Sequence, residues 1–257
     1  MYNKTRAKML NKERTIGTFF QLGVANAAES LGYSGLDYII IDTEHTPASE
    51  ESTMEFIRAA KLSNLSAFVR IKDITRPSVL RMLDIGAEGL VVPCVESLDD
   101  VKILVKYGKY APLGERGFFF GRAAGYGFED FTSPLESYFE KCNAETMIIP
   151  QCETRGCLEN IEEIVSVEGV DAILVGPYDL SIALGKPGQF EAEEFKAAVA
   201  RIVKACKNAN KPSMIYAKDA ESALKNFDAG FDSVAVGTDI SVLTNSYRSI
   251  VNSIKNR

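Results

Sequence analysis

The chain has 257 residues, of which 46% are hydrophobic and 25% are charged, and its formal net charge is −6 at pH 7. Its length matches a single α/β barrel of roughly 250 residues, and the composition supplies enough apolar material for a large core. The acidic balance argues against a nucleic-acid partner or a membrane surface, because either usually needs a basic face. No apolar run reaches the roughly 18 residues that a membrane-spanning helix needs.

The five cysteines do not suggest a disulfide framework. An odd number spread over a chain of this length is more typical of a reducing compartment. No pair has Cys-x-x-Cys spacing and the chain has one histidine, so we do not expect a structural zinc site. The first 14 residues are basic and lack the apolar core of a secretory signal. We therefore expect a cytoplasmic protein.

Short apolar runs alternate with amphipathic stretches of helical length along the chain. Strands are predicted at about 16–20, 38–41, 66–71, 89–92, 146–150, 170–175, 213–216 and 233–236. Helices are predicted at about 25–31, 49–62, 77–85, 98–107, 134–142, 158–165, 192–209, 220–227 and 240–256. Eight alternations favour an α/β fold of the (β/α)8 TIM-barrel type, with one domain over residues 1–257.

One segment, residues 112–127, breaks this alternation. It contains five glycines, Arg116, Arg122 and three consecutive phenylalanines at 118–120. A loop this long inside a compact domain is usually functional and often forms a lid. The alternative is that the phenylalanines seal one end of the barrel or form an oligomer contact.

Polar side chains follow several predicted strands at the point where each strand ends. The carboxyl ends of parallel barrel strands share one rim, and ligands bind there. The residues concerned are Asp42, Glu44, His45, Arg70, Gln151, Glu153 and Asp179. His45 is the only histidine in the chain. We expect a ligand site at this rim, although His45 taken alone could also cap a helix or lie on the surface.

Glu153 and Asp179 follow consecutive predicted strands and should therefore lie side by side. Two such carboxylates repel each other unless a cation lies between them. Mg²⁺ or Mn²⁺ suits an oxygen-only pair, because these ions keep several waters and accept substrate oxygens. A metal site is the interpretation we favour. The alternative is an acidic rim that is solvated, or paired with Arg70 or Arg155.

Arg70 and Gly176 offer two ways to bind an anion. Arg70 at a strand tip can form paired hydrogen bonds to a carboxylate or bind a carbonyl oxygen. It can equally form a structural bridge to Asp42 or Asp84. Gly176 precedes a short predicted helix, and the free N–H groups of a helix start bind anions.

Several motifs at these positions occur together in one known family. They are Asp-x-Glu-His at 42–45, Gln-x-Glu at 151–153, Gly-Pro-x-Asp-Leu-Ser at 176–181 and Gly-Glu-Arg-Gly at 114–117. The chain resembles, over about residues 17–242, the HpcH/HpaI aldolases, which are metal-dependent class II pyruvate aldolases. Such enzymes are (β/α)8 barrels that cleave 2-keto-4-hydroxy acids, including 2-keto-3-deoxy sugar acids, to pyruvate and an aldehyde. They also catalyse the reverse condensation.

The resemblance implies a role for each matched catalytic residue. Glu153 and Asp179 would hold the divalent ion, which is Mg²⁺ or Mn²⁺, with Co²⁺ as a further candidate. Arg70 would bind the keto oxygen and stabilise the enolate. His45, oriented by Asp42, would act as the acid–base group.

The resemblance also implies substrate contacts and an assembly. The substrate carboxylate would lie near Gly176 and Pro177, with Gln151 close by, and Arg122 would contact the acceptor aldehyde. Asp84 matches an acidic position that the family places near the histidine across a subunit contact. The family usually forms hexamers in which the terminal helix is exchanged, so we expect a homo-oligomer with small-molecule partners.

Three alternatives remain open. A related branch, resembling the citrate lyase β subunit, acts on acyl-CoA thioesters, although the acidic chain shows no obvious basic groove for CoA. A non-catalytic barrel could bind a keto acid as a sensor. A lysine Schiff base could replace the metal, and Lys72 and Lys218 lie just beyond predicted strands.

Overall fold

Eight parallel strands close a barrel in the computed structural model, which describes residues 2–256. Each strand pairs with its sequence neighbours, and β1 and β8 close the ring. The strands are β1 (Thr15–Phe20), β2 (Tyr38–Asp42), β3 (Ser66–Arg70), β4 (Gly89–Val92), β5 (Met147–Cys152), β6 (Ile173–Val175), β7 (Ser213–Ala217) and β8 (Ser233–Thr238). The predicted (β/α)8 barrel is therefore confirmed.

Helices surround this barrel and alternate with its strands. They are α1 (Lys4–Leu10), α2 (Ala25–Leu31), α3 (Glu50–Leu62), α4 (Arg76–Asp84), α5 (Leu98–Gly108), α6 (Leu135–Glu145), α7 (Arg155–Glu159), α8 (Ile161–Ser166), α9 (Pro177–Ala183), α10 (Glu193–Asn208), α11 (Ala220–Asp228) and α12 (Asp239–Lys255). Several begin at a side-chain cap: Ser49, Ser97 and Asp219 each accept a hydrogen bond from the backbone N–H three residues on.

The strands are apolar on both faces because each face is covered. Inward-facing residues such as Tyr38, Phe68 and Met214 fill the barrel, and the Tyr38 hydroxyl is 2.9 Å from Ser233 Oγ. Outward-facing residues such as Ile39 and Val69 pack under the helices. Continuous burial of this kind is expected for parallel strands and leaves polar groups to gather at the strand tips.

Two features of the chain differ from the predicted elements. Residues 4–10 form α1, which the sequence did not suggest because only Thr5 and Met9 of this helix are buried. Asn3 caps α1 by accepting from Arg6 N (2.9 Å). The predicted helix 158–165 is divided in the structure, and Asn160 lies between α7 and α8.

The segment 112–127 lies along α4 and does not cover the strand tips of its own barrel. Arg116 Nη2 is 2.8 Å from Asp84 Oδ1, and Arg122 Nη1 donates to Ile85 O (3.1 Å). Asp84 ends α4 only a few residues before β4 begins, so it lies at the end opposite the mouth. Of the two alternatives, a lid over this chain's own site does not fit this path, and an oligomer contact stays a prediction.

The aromatic residues of this segment pack against α6. The Phe120 ring is 4.8 Å from Phe118 and 5.5 Å from Tyr138. Phe119 of this segment and Phe128, which directly follows it, stay 67% and 92% exposed. An apolar surface is thus left on the outside of the barrel.

The last helix, α12, leaves the barrel after its first turn. Asp239 is its buried residue, and its carboxylate accepts from the backbone N–H groups of Gln21 (2.8 Å) and Leu22 (3.1 Å). Apolar side chains farther along are exposed, including Leu243, Tyr247 and Ile250. Exchange of α12 between subunits stays a prediction.

Within residues 2–256, no helix is both long and apolar enough to cross a bilayer.

Candidate active site

A cavity of about 190 Å³ opens at the carboxyl ends of the strands, where the sequence predicts a ligand site. Its walls combine aromatic rings with polar groups from the strand tips and the start of α9. The lining residues are Phe19, Gln21, Arg70, Gln151, Leu174, Gly176, Pro177, Tyr178, Asp179, Tyr216 and Thr238.

Arg70 is held in the wall of this cavity by a buried pair with Asp42. The two residues are register partners on β2 and β3, and Arg70 donates from Nε to Oδ1 (3.0 Å) and from Nη2 to Oδ2 (2.7 Å). The guanidinium also lies 4.8 Å from the centre of the Phe19 ring. Burial alone would raise the pKa of Asp42, but its hydrogen bonds and the charge of Arg70 hold that pKa below the ordinary value.

The structure corrects the expected partner of Asp42. Its oxygens accept from Arg70 and from Gln21 Nε2 (2.9 Å), and it contacts His45 only at the backbone N–H (3.3 Å). The imidazole Nε2 instead lies 3.7 Å from Glu44 Oε2, and the His45 side chain is 66% exposed. Asp42 therefore positions Arg70, because strand register places the two side by side.

Glu44 lies between the guanidinium and the imidazole. Its Oε2 atom is 3.2 Å from Arg70 Nη1 as well as 3.7 Å from His45 Nε2. Burial raises the pKa of Glu44, and the charges of Arg70 and His45 offset this only in part. The sequence placed Glu44 at the rim but assigned it no role, since spacing does not reveal such a bridge.

Glu153 is a buried carboxyl group beside a second acid. It is 5% exposed, its Oε1 accepts from Cys94 N (2.9 Å), and its Oε2 accepts from Gln151 Nε2. Burial raises the pKa of Glu153 to about 7, and the negative charge of Asp179 contributes to the shift. Asp179 lies in the first turn of α9 and lines the cavity.

Two polar atoms and one glycine shape the floor of the cavity. Gln151 Oε1 is buried and has no hydrogen-bond partner among residues 2–256. A Cβ atom at Gly176 would lie 2.7 Å from Gln151 Nε2, so a larger residue there would displace the amide. The absence of a side chain at Gly176 thus lets the backbone approach the side chains of Gln151 and Glu153 closely.

Asp84 and Arg122 do not line the cavity at the mouth of their own barrel. Asp84 pairs with Arg116, and the guanidinium of Arg122 covers the end of α4 at Ile85 and Gly86. Burial lowers the pKa of Arg122. Both lie at the far end of α4 because this helix runs antiparallel to the strands.

The basic residues that could replace a metal ion also lie away from the two acids of the mouth. Arg155 donates to Ala183 O (2.9 Å), so its observed contact is not to Glu153 or Asp179. Lys72 and Lys218 are exposed and do not line the cavity, whereas a Schiff-base lysine would be expected inside the barrel.

Several contributors to the mouth escaped the sequence analysis. Phe19 lies in β1 directly before its last residue, Phe20, and Gln21 directly follows the strand, so the strand-tip rule applied to the other strands would have found Gln21. Cys94 has a φ of +54°, which is unusual for a residue other than glycine, and this conformation accompanies its backbone hydrogen bond to Glu153. Nothing in the sequence signals that conformation.

Within residues 2–256, no group of three or more His, Cys, Asp and Glu side chains is arranged to hold a metal ion. A two-carboxylate site does not need such a group, because water and substrate oxygens complete the coordination of Mg²⁺. The oxygen chemistry of Glu153 and Asp179, and the raised pKa of Glu153, fit a hard divalent cation.

The structure thus combines a closed α/β barrel with two acids and a fixed arginine at its mouth. This combination is typical of barrel enzymes that act on small, oxygen-rich molecules. Residues 15–246 match the family model described as HpcH/HpaI aldolase/citrate lyase. The chain belongs to this family, as the motifs at 42–45 and 176–181 predict.

Two relatives and one solved structure align with nearly the whole chain. A hydroxypyruvate/pyruvate aldolase of Roseobacter denitrificans is 31% identical over 250 residues, covering 96% of this chain and 95% of its own. A 5-keto-4-deoxy-D-glucarate aldolase of Enterobacter sp. is 30% identical, covering 98% and 97%. A crystal structure of an HpcH/HpaI aldolase/citrate lyase family protein from Burkholderia cenocepacia superposes with a TM-score of 0.91 at 30% identity, covering 98% and 99%.

Proposed function

We propose that this protein is a metal-dependent aldolase that cleaves a 2-keto-4-hydroxy acid, of the 2-keto-3-deoxy sugar acid type, to pyruvate and an aldehyde. The same site would catalyse the reverse condensation. The observation that carries the proposal is the placement of Arg70, held by Asp42, in one cavity with Asp179, whose charge acts on the buried Glu153. The aldolase relatives support the reaction class.

Glu153 and Asp179 would hold the divalent ion, Mg²⁺ or Mn²⁺, with Co²⁺ as a further candidate. When bound there, it would supply Lewis-acid polarisation of the keto oxygen. Glu153 suits this position because its buried carboxylate lacks a positively charged partner among its observed contacts.

Arg70 stabilises the charge that develops during cleavage. Breaking the bond between C3 and C4 of the substrate leaves its electron pair on the pyruvate half as an enolate. Two of the guanidinium nitrogens are fixed by Asp42, so the group is oriented before the substrate binds. Donors that are preorganised toward a developing oxyanion contribute strongly to the rate.

His45 takes the proton from the C4 hydroxyl group and so allows the aldehyde to form. Protonation of the enolate at C3 then gives pyruvate. A neutral imidazole is suited to this exchange near physiological pH. Its exposed position at the mouth lets it reach the outer half of the substrate, and Glu44 positions it.

Backbone N–H groups at the start of α9, next to Gly176 and Pro177, bind the substrate carboxylate. Proline has no N–H, so the donors come from the residues that follow it. The buried Gln151 Oε1 is an acceptor that lacks a protein partner among residues 2–256, and a bound ligand or water satisfies it.

Asp84 and Arg122 act on the mouth of a neighbouring subunit in a homo-oligomer, for which a hexamer is our proposal. Their placement away from this chain's own cavity supports a contribution across an interface. The exposed Phe119 and Phe128 nearby, and the apolar face of α12, provide surface for such contacts.

The five cysteines are all unpaired, which supports a cytoplasmic location.

The test is an assay of pyruvate release from a panel of 2-keto-3-deoxy sugar acids, with and without EDTA. We expect release that EDTA abolishes and added Mg²⁺ or Mn²⁺ restores. Release that resists EDTA, with trapping by borohydride, would favour a lysine mechanism. Keto-acid binding without turnover on the panel would indicate a sensor, and cleavage of acyl-CoA thioesters alone would indicate the citrate-lyase-like branch.

A further inference from the structure

A second cavity, of about 410 Å³, lies at the amino-terminal ends of the strands, opposite the mouth. Asp171 comes just before β6 in the chain and Lys211 just before β7, so both belong to this end of the barrel. The charged residues that line the cavity are Arg6, Lys109, Glu140, Asp171 and Lys211. We call this cavity the α1 pocket, because Arg6 belongs to α1.

The first helix, α1, is fixed across this end of the barrel and carries Arg6 to the pocket. Asn3, which caps the helix, donates from Nδ2 to Glu88 O and to Glu145 O (both 3.0 Å). These two carbonyl groups lie just before β4 and β5. Arg6 is therefore held beside the strand starts by hydrogen bonds that do not involve its own side chain.

Lys109 is a buried lysine that the proposed reaction does not use. Its side chain is 1% exposed, and Nζ donates to Asn143 O (2.9 Å), to Thr146 O and to Asp171 Oδ2 (2.8 Å). A buried charge needs a partner of opposite sign, and Asp171 is that partner. All three ammonium hydrogens are occupied, so Lys109 neutralises Asp171 and leaves no donor for a ligand.

Arg6 and Lys211 are two further cations beside the same carboxylate. Arg6 Nε is 3.5 Å from Asp171 Oδ1, and its terminal nitrogens have no hydrogen-bond partner among residues 2–256. Lys211 Nζ donates to a neutral acceptor, Val170 O. Burial lowers the pKa of Lys109, and the charges of Arg6 and Lys211 lower it further. Three cations therefore crowd one carboxylate at the wall of a cavity.

Crowded cations beside a cavity indicate an anion, for the same reason that crowded carboxylates indicate a cation. Because Lys109 neutralises Asp171, the charges of Arg6 and Lys211 remain for a ligand. Glu140 is the other acid of the lining, but it is exposed, so solvent and salt screen its charge.

The number of charges and donors favours phosphate over a carboxylate. A phosphate group carries about −1.5 to −2 charges at pH 7 and has three oxygens that accept hydrogen bonds. The guanidinium of Arg6 can form two parallel hydrogen bonds to such a group, and the ammonium of Lys211 can supply a second positive charge. A cavity of about 410 Å³ also leaves room for a small organic part, since small-molecule sites usually measure about 300–1,000 Å³.

We propose that the α1 pocket binds one phosphate group, held by the terminal nitrogens of Arg6 and the ammonium of Lys211. The group is inorganic phosphate or a monoester of a small alcohol or sugar. The bound group ties α1 to the segments that precede β6 and β7, and so stabilises the folded protein. Because the pocket is opposite the mouth, the proposal does not depend on the aldolase reaction, and its test does not use pyruvate release.

The first test measures thermal unfolding of the protein as purified, and calorimetric titration, with sodium phosphate. Sodium chloride and sodium acetate at matched ionic strength are the controls. With a dissociation constant of about 1 mM, about 10 mM phosphate should raise the melting temperature by about 3 °C. We expect this rise to saturate and to be absent in chloride and in acetate. Equal responses to phosphate and to either control salt would overturn the proposal.

The second test locates the bound phosphate. Arg6→Gln and Lys211→Gln each remove one proposed donor, so each should weaken phosphate binding at least about tenfold. Lys4→Gln, at an exposed position of the same helix, is the matched control and should bind phosphate like the unaltered protein. Unchanged phosphate affinity in folded Arg6→Gln and Lys211→Gln would overturn the proposal, because the ion would then bind elsewhere, including at the mouth.

Two additions keep this test decisive. Arg6→Lys keeps the positive charge and replaces Arg6→Gln if that variant does not fold; it should weaken phosphate binding by a smaller factor, and unchanged affinity would again count against the proposal. Glycerol 1-phosphate distinguishes the two sources of the group. Tighter binding than that of inorganic phosphate would assign a monoester, and equal binding would assign the ion itself; either result supports the proposal if Arg6→Gln or Arg6→Lys weakens it.

Discussion

The mouth of the barrel and the far end of α4 each contain a buried arginine paired with an aspartate, but only the mouth is built to bind a ligand. Arg70 with Asp42 borders a cavity that also holds Asp179 and the unpartnered Gln151 Oε1. Arg116 with Asp84 instead stacks against Tyr110, at 4.8 Å from the ring centre. The two pairs thus differ in whether unpaired polar groups and open space lie beside the guanidinium.

The surroundings of the two pairs differ in a second way. The mouth is enclosed by strand tips of its own chain, whereas the segment near Asp84 carries the exposed rings of Phe119 and Phe128. Exposed aromatic surface of this kind often marks an interaction site. In the proposed function, the first region is the catalytic mouth within one subunit, and the second is a surface for contact with another subunit.

The largest effect should come from the acids of the mouth. Asp179→Asn should lower kcat/KM for pyruvate release by at least about a thousandfold, because Lewis-acid assistance is worth several kcal/mol. Titration calorimetry with Mn²⁺ should show the loss of binding. Asp99→Asn, on the surface at the start of α5, is the control and should behave like the unaltered enzyme. Full activity in Asp179→Asn would show that the metal assignment is wrong.

The two buried arginines provide a direct contrast. Arg70→Lys keeps a positive charge for Asp42 but loses the paired geometry, so kcat should fall roughly 10²–10³-fold. Mn²⁺ affinity should stay unchanged. Arg116→Lys should lower the melting temperature while pyruvate affinity at the mouth is retained. If both variants lost pyruvate affinity equally, the distinction between the two regions would fail.

His45→Gln should reduce kcat about a hundredfold, as expected for loss of a general acid–base group. Metal affinity should not change, because the imidazole is not among the proposed ligands. Glu44→Gln should have a smaller effect and should move the pH profile of kcat, because it removes the charge beside the imidazole. A His45→Gln enzyme with an unaltered rate and pH profile would exclude the proposed role.

Mixing subunits tests whether Asp84 acts across an interface. Asp84→Asn and His45→Gln should each be impaired alone. Co-refolded in equal amounts, they should regain activity at about one quarter of the sites, since a symmetric interface brings the two intact residues together at random. Mixed oligomers as inactive as either parent would contradict a contribution from a neighbouring subunit.

A further expected effect is on stability rather than on rate, and it follows from Glu153. Its pKa is raised in the folded protein from 4.5 to about 7, so the folded state holds this proton more tightly than the unfolded state. The free energy of unfolding of the metal-free protein should therefore decrease as the pH rises from the unfolded pKa to the folded pKa. The expected slope is about 1.4 kcal/mol for each pH unit crossed between those two values.

Glu153→Gln cannot ionise and should escape this loss. In EDTA, its melting temperature relative to that of the unaltered protein should rise between pH 5 and pH 7.5. Glu159→Gln on α7 serves as the surface control. A constant difference between Glu153→Gln and the unaltered protein across that range would contradict the raised pKa.

Much of the barrel and the mouth was predictable because both follow from periodicity. Buried strands alternate with amphipathic helices, and parallel strands bring their tips together, so Asp42, Arg70, Glu153 and Asp179 could be assigned to one rim. α1 escaped because it buries few side chains. The segment 112–127 has no regular spacing of apolar residues, so its course along α4 could not be predicted.

Contacts between side chains were harder to predict than positions. Asp42 was expected to orient His45, which is near in sequence, but register with β3 pairs it with Arg70. Asp84 was a candidate partner for Arg70, yet the direction of α4 carries it to the other end of the barrel, where it pairs with Arg116. Such pairings depend on register and element direction as well as on spacing along the chain.

The central claim is that Glu153 and Asp179 hold a divalent cation that the reaction requires. Its most direct test is the rate of pyruvate release from a 2-keto-3-deoxy sugar acid by enzyme stripped of metal, measured while Mn²⁺ is added back. We expect no release before addition, a saturable return of activity, and no return in Asp179→Asn. Full turnover by the stripped enzyme would contradict the claim.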